Sequence, residues 1–244
     1  MIPWLEAGDA FPSTSQALGT DSDAPGLLAA SQDMDLTRLQ AAYQNGIFPW
    51  FSPGQPVLWW STNPRMVLPA AQFKLSRSLK KTLRKFRDDP LCEIRIDHSF
   101  ETVIQACAET SRPGQNGTWI VRDIQRTYQQ WHQQGGVHSV ETWINGKLAG
   151  GLYGVNVGRM FFGESMFAWQ TDASKIALAA LICFCQDQGI ELIDCQQETQ
   201  HLASMGARPW PREDFEAHLR GVRDLAPPAI WSYDRCLWRY LLAE

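Results

Sequence analysis

A chain of 244 residues with 44% apolar and 20% charged residues can bury a full core, as one large domain or a small domain followed by a larger one. Seven basic residues and no acid lie between Lys74 and Arg87, so a chain of net charge −4 stands at −11 elsewhere; a generally basic surface is excluded, and one local site for a polyanion is expected. The start of the chain lacks the basic and apolar regions of a secretory signal, the run Ile176 to Cys185 is too short to span a membrane, and six cysteines without a CxxC pair or suitably spaced His exclude a zinc site and read as reduced cytosolic thiols.

Residues 1–42 mix turn formers with short apolar clusters, and Asp35 to Tyr43 is predicted as a short helix capped by Asp35. Tyr43 to Ser61 holds too many Pro and Gly for regular elements and too many aromatics for a solvated linker, so an ordered loop and a short strand packed on a neighbour are expected, with Trp50 the aromatic of interest. Leu75, Leu79, Leu83 and Phe86 recur at helical spacing over 76–86, with Lys74, Arg77, Lys80, Lys81, Arg84 and Lys85 mainly on the other side. Solvated faces normally mix signs, and this one does not. Phosphate-backbone binding is the reading, with a membrane surface as its rival.

Phe100 to Glu109 and Ile124 to Gln134 are predicted helices on either side of the loop Gly114 to Gly117 and Thr118-Trp119-Ile120. Three strands follow: Val137 to Ile144, Lys147 to Val157 after the Asn145-Gly146 hairpin turn, and Met160 to Phe167 after a turn at Gly158. A helix from about Asp172 or Ala173 to Gln188, stopped by Gly189, leads into a buried strand Ile190 to Cys195. This order predicts an α/β (α+β) fold, a small N-terminal domain over 1–63 and an acetyltransferase-like (GNAT) mixed-sheet domain over 64–244.

Two segments place a single carboxylate among apolar residues near a strand end: Gly163-Glu164-Ser165-Met166-Phe167 and Leu192-Ile193-Asp194-Cys195-Gln196. An ionised carboxylate is costly to bury without partners, so the pair marks a site. Familiar motifs are missing around it. Ser165 lacks the second glycine of a nucleophile elbow and an evident His. Gly150 to Gly154 lies within a strand, where glycines permit close backbone approach or a bulge rather than a dinucleotide fingerprint. The turn Ala168 to Ser174 contains no glycine to seat the pyrophosphate of an acyl-CoA.

The strings Tyr43-Gln-Asn-Gly-Ile-Phe-Pro-Trp-Phe-Ser-Pro-Gly, Leu58-Trp-Trp-Ser-Thr-Asn-Pro-Arg65, Gly117-Thr-Trp-Ile120, Gly163-Glu-Ser-Met-Phe167 and Leu192-Ile-Asp-Cys-Gln196 occur in one order. From about Phe11 to Leu237 the chain resembles the bacterial leucyl/phenylalanyl-tRNA-protein transferase family. The resemblance implies transfer of Leu or Phe, and less well Met, from aminoacyl-tRNA to proteins with an N-terminal Arg or Lys, marking them for degradation in the cytoplasm. It implies a small domain followed by an acetyltransferase-like one, which accounts for the missing pyrophosphate turn. By matching motif, Trp50 and Trp119 would stack on the terminal adenosine, and Leu152, Phe161, Met166, Leu178, Leu181 and Ile193 would line the side-chain pocket. Leu152 and Leu181 stand where a Met and a Phe can occur, so the pocket stays apolar while its size is open.

The reaction that the resemblance implies is aminolysis of an ester. Near pH 7.5 roughly a third of an α-amine is neutral against about 0.1% of a lysine side chain, so catalysis depends on alignment and on handling the second proton. A period of two puts Asp194 and Gln196 on one strand face, and both are assigned to orienting the amine and relaying its proton, Asp194 as base or as electrostatic positioner. Glu164 is expected to hold the cationic terminus or fix the ester, or else to be structural. Arg77, Lys80, Lys81, Arg84 and Lys85 would carry the tRNA backbone. Aminoacyl-tRNA is a cosubstrate; no ATP, metal or acyl-CoA is expected, and the chain is expected to be a monomer. Another acyltransferase of the same fold, acting on acyl-CoA or building peptidoglycan bridges, and a tRNA-binding module without catalysis are the rival functions.

Overall fold

The computed structural model describes residues 2–110, 120 and 122–242. A four-stranded sheet of order β1-β2-β4-β3 is formed by β1 (Trp4–Leu5), β2 (Leu27–Ser31), β3 (Phe48–Pro49) and β4 (Val57–Trp60), with α1 (Leu36–Gln44) between β2 and β3. The Asp35 side chain accepts from Arg38 N at 2.8 Å and fixes where α1 begins. Trp59 is fully buried in this sheet, its indole donating to Ser31 Oγ at 2.9 Å, so the aromatic stretch is ordered core and not linker.

A seven-stranded sheet begins at β5 (Arg65–Pro69) and continues through β6 (Cys92–Ile96), β7 (Val137–Ile144), β8 (Lys147–Val157), β9 (Met160–Ala168), β10 (Leu192–Gln196) and β11 (Arg208–Trp210), in the order β11-β5-β10-β9-β8-β7-β6. Strands β6 to β9 form an antiparallel run, and β10 lies parallel to β9, connected through α5 (Ala173–Gln188). The expected order of antiparallel strands, long helix and further strand is therefore present. Asn145 and Gly146 take φ of 52° and 68°, the left-handed pair that a two-residue hairpin turn requires. Gly154 sits at a register shift between β8 and β9, where a Cβ would meet Phe162 O at 2.2 Å.

One sheet face packs on α5 and α2 (Arg77–Asp88), the other on α3 (Phe100–Glu109), α4 (Arg122–Gln133), α1 and α7 (Arg212–Val222). Helix α5 is buried continuously from Ile176 to Cys185, which explains its lack of a polar stripe. The apolar core under α3 and α4 continues into the small sheet, joining Phe162 and Tyr128 to Tyr43, Trp59 and Trp60. Short helices α6 (Gln200–Ser204) and α8 (Arg239–Leu242) complete the chain. Among the described residues, no helix is long and apolar enough to cross a membrane.

Candidate active site

Between the end of α5 nearest its first turns, strands β8 to β10 and the Phe48 to Trp50 segment lies a cavity of about 560 Å³. Leu152, Met166, Leu178, Leu181 and Ile193 supply its apolar wall, Glu164 and Gln196 its polar wall, and half-exposed Trp50 with exposed Thr199 and His201 line it nearer solvent. Five of the six expected pocket residues therefore meet. Phe161 does not: it is fully buried and absent from the lining, its ring 6.0 Å from that of Trp231. Phe161 was carried over by motif alone, and the structure places it in the core beside the cavity. A second cavity, about 650 Å³ between residues 8–14, α1 and α7, contains none of the expected site residues.

Glu164 is 9% exposed and anchors a chain of polar groups across the cavity floor. Gln196 Nε2 donates to Glu164 Oε1 at 2.8 Å, Tyr128 donates to Glu164 Oε2 at 3.3 Å, and the Tyr128 and Tyr43 hydroxyls lie 2.6 Å apart. Burial pushes the Glu164 carboxyl up to about 7, with the Asp194 charge adding to the rise and the Tyr43, Tyr128 and Gln196 hydrogen bonds opposing it. Since its ordinary value is 4.5, the folded protein holds this proton more tightly than the unfolded chain; the stabilisation is complete below pH 4.5 and is lost as pH rises through about 7. In urea unfolding, wild type should lose up to about 3 kcal/mol between pH 5 and pH 8 from this group, a loss that Glu164→Gln should not show.

Asp194 is placed otherwise than its sequence position suggests. It is fully buried, absent from the cavity lining and bound edge-on by Arg65, with Nε to Oδ1 at 2.8 Å and Nη2 to Oδ2 at 2.6 Å. The Arg65 guanidinium sits between the rings of Phe48 and Phe215, 4.7 Å from each centroid. Asp194 and Gln196 do not share a strand face. The register shifts between them, and Gln196 takes φ of 57°, which turns its side chain into the cavity while Asp194 points away. Asp194 acts on the site through that bend: its Oδ1 accepts from Gln196 N at 2.9 Å, and Thr62 donates to Gln196 O at 3.0 Å. Both Asp194 oxygens are engaged by Arg65 and by Gln196 N, and neither faces the cavity. Arg65, Tyr43 and Tyr128 are the residues that sequence reasoning missed.

Cys195 also lines the cavity, but burial first and then the Asp194 charge push its thiol far above the usual range, so it is no thiolate nucleophile. Trp119 lies outside the described residues. Trp50 tilts against Trp60 with centroids 5.4 Å apart, and the Trp60 indole donates to Trp50 O at 2.6 Å, holding the Trp50 backbone at the cavity edge. Helix α2 is capped by Ser76 and buries Leu79, Leu83 and Phe86, leaving Arg77, Lys81, Arg84 and Lys85 exposed and Lys80 half-buried. Among the described residues, no group of three or more His, Cys, Asp or Glu could hold a metal ion.

The cavity between α5 and strands β8 to β10 can seat an apolar group beside one carboxyl that is raised by burial and able to exchange a proton near neutral pH. The family profile for leucyl/phenylalanyl-tRNA protein transferase matches residues 67–220, and that for its N-terminal domain matches residues 32–63. Leucyl/phenylalanyl-tRNA--protein transferases from Leptothrix cholodnii and Methylibium petroleiphilum are 60% and 58% identical to this chain, each covering 99% of it and 95% and 91% of the relative. The chain belongs to the leucyl/phenylalanyl-tRNA protein transferase family and is an aminoacyltransferase. A GCN5-related N-acetyltransferase-like protein from Streptococcus suis overlaps it with a TM-score of 0.33 at 12% identity, over 75% of this chain and 67% of that one.

Proposed function

We propose that the protein moves Leu or Phe, and less well Met, from aminoacyl-tRNA to the α-amino group of proteins bearing an N-terminal Arg or Lys, marking them for degradation by the N-end rule pathway in the cytoplasm. The observation that carries this reading is the apolar cavity walled by Leu152, Met166, Leu178, Leu181 and Ile193, with the Glu164–Gln196 pair on its polar side. The donor's side chain occupies the apolar wall. Its terminal adenosine stacks at Trp50, with Trp119 as the second aromatic carried over by motif.

The acceptor amine attacks the ester carbonyl, so a C–N bond forms and the C–O bond to the tRNA ribose breaks. One proton leaves the nitrogen as the bond forms and one reaches the departing ribose oxygen. Glu164, raised to about 7, is close to the α-amine's own range of roughly 7.7–8.0; it takes the proton that the attacking neutral amine loses as the C–N bond forms, then returns it to the leaving oxygen. Gln196 orients the carboxylate, and the buried Arg65–Asp194 pair holds Gln196 in its bend. Because the ester arrives activated, the reaction needs no ATP, metal or acyl-CoA. A monomer contains the whole constellation.

Incubation with radiolabelled Leu-tRNA and an Arg-terminated peptide should label the peptide. An unlabelled peptide together with acetyl transfer from acetyl-CoA would overturn the reading. The tRNA body rests on α2 through Arg77, Lys80, Lys81, Arg84 and Lys85. Lys80→Glu with Lys81→Glu should weaken tRNA binding by about tenfold or more and flatten its salt dependence by nearly two contacts' worth of counterion release. An unchanged affinity and salt slope in filter binding would remove α2 from the interface.

A further inference from the structure

Strand β9 keeps β8 as its partner from Met160 to Ala168, but pairs with β10 only at Phe161 and Phe162. Beyond that point the bend at Gln196 turns β10 aside, and Gly163 to Met166 border the cavity where a neighbouring strand would lie. Which main-chain groups face this gap follows from the ladder. Trp169 and Phe167 both turn their main chain toward β8: Trp169 N donates to Ala149 O at 2.8 Å, and a Cβ on Gly150 would stand 2.9 Å from Phe167 O. Hydrogen-bonded positions alternate in an antiparallel pair, so Met166, opposite Leu152, and Ala168, opposite Gly150, direct N–H and C=O away from β8 and into the gap. Among the described residues, no backbone bond reaches them from β10. An unpaired strand edge of this kind is a template for a further extended segment.

The open edge leads from the buried Glu164 through half-buried Met166 to exposed Ala168. A segment laid along it with its free end at Glu164 leaves for solvent past Ala168, and so runs in the direction of β9, as β10 does. Only a chain terminus fits this path, since an internal segment has no amine to bring to the carboxyl.

We propose that the acceptor protein's N-terminal residues bind as a short parallel strand on the open edge of β9, in the place that β10 vacates after Asp194. This inference rests on the aminoacyl-transfer reading and adds to it a main-chain subsite for the acceptor. With the α-amine at Glu164, parallel pairing puts the first residue's carbonyl on Met166 N–H, the third residue's N–H on Met166 O, and the third residue's carbonyl on Ala168 N–H. The second residue turns its N–H away. These contacts are to main chain and do not depend on which side chains follow the first residue.

Three Arg-terminated peptides of one sequence test this with Leu-tRNA as donor: one unmethylated, one N-methylated at the second residue and one at the third. Methylation at the third residue should lower kcat/KM for the peptide by about tenfold, and methylation at the second should leave it within about twofold. Ala168→Pro removes an N–H that the β8 ladder does not use, so the fold should survive. In that variant KM for the unmethylated peptide should rise about fivefold, with tRNA affinity within about twofold of wild type. If the two methylated peptides lose equally, if the loss falls on the second position, if neither loses, or if Ala168→Pro keeps the wild-type KM, the added strand is refuted while the reading stands. If wild type fails to label the unmethylated peptide, the reading itself falls.

Discussion

Glu164→Gln should lower leucyl transfer by about 10²–10⁴, equivalent to roughly 3–5 kcal/mol of barrier, while leaving tRNA affinity within about twofold. The change keeps the shape of the side chain and a hydrogen-bonding oxygen for Gln196, and removes only the ability to take a proton. Its pH dependence distinguishes this role from a structural one. Reaction needs a neutral acceptor amine, whose range is roughly 7.7–8.0, and an ionised Glu164, whose carboxyl sits at about 7. Both conditions fail as pH falls. Below about pH 6.5 the logarithm of the wild-type rate should therefore approach a slope of 2 against pH, and that of Glu164→Gln a slope of 1. A variant that keeps the wild-type slope, or that transfers leucine within about threefold of wild type, would show that Glu164 takes no proton.

The sequence reading placed Glu164 at the site but gave the proton relay to Asp194 and Gln196. A lone carboxylate in an apolar strand marked Glu164 and Asp194 equally, and nothing local separates them. Their difference comes from partners far along the chain: Arg65 lies 129 residues from Asp194, and Tyr128 lies 36 from Glu164. The signal for Arg65 was present, since it opens the apolar strand Arg65–Pro69 as a single charge, the same anomaly that singled out the two acids. Alternation put Asp194 on the face of Gln196 because it carries no information about a bulge, and the left-handed φ of Gln196 breaks the period there.

Regular elements were far easier to read. The helix from Phe100 to Glu109 and the strands Val137–Ile144 and Lys147–Val157 follow from 3.6- and 2-residue periods and from the Asn-Gly turn, all of which are local. The expectation for Ile190 to Cys195 shifted to Leu192–Gln196, a boundary that depends on pairing with β5 and β9 rather than on hydropathy. As apolar positions on facing elements the pocket residues read as ordinary core, and only the family resemblance marked them as a pocket. Which of them border empty space is a packing property, as Phe161 demonstrates.

Arg65→Met should destabilise the fold by about 3–5 kcal/mol, because it leaves the Asp194 carboxylate fully buried without its partner. For a chain of this length that corresponds to a melting temperature lower by roughly 10 °C. The loss comes from the stranded charge and not from missing volume, since Met fills much of the space between Phe48 and Phe215. Adding Asp194→Leu removes the stranded charge, so the double variant should recover most of the lost stability, as replacement of a buried ion pair by apolar groups commonly does. Recovery of transfer should not follow. Without Asp194 Oδ1 to accept from Gln196 N, the bend that turns Gln196 toward Glu164 loses its internal tie, and kcat should stay at least about tenfold below wild type while KM for tRNA changes little. Stability and activity would then separate in one pair of variants. A double variant that regains both would reduce the Arg65–Asp194 pair to packing, and an Arg65→Met protein as stable as wild type would remove its structural role as well.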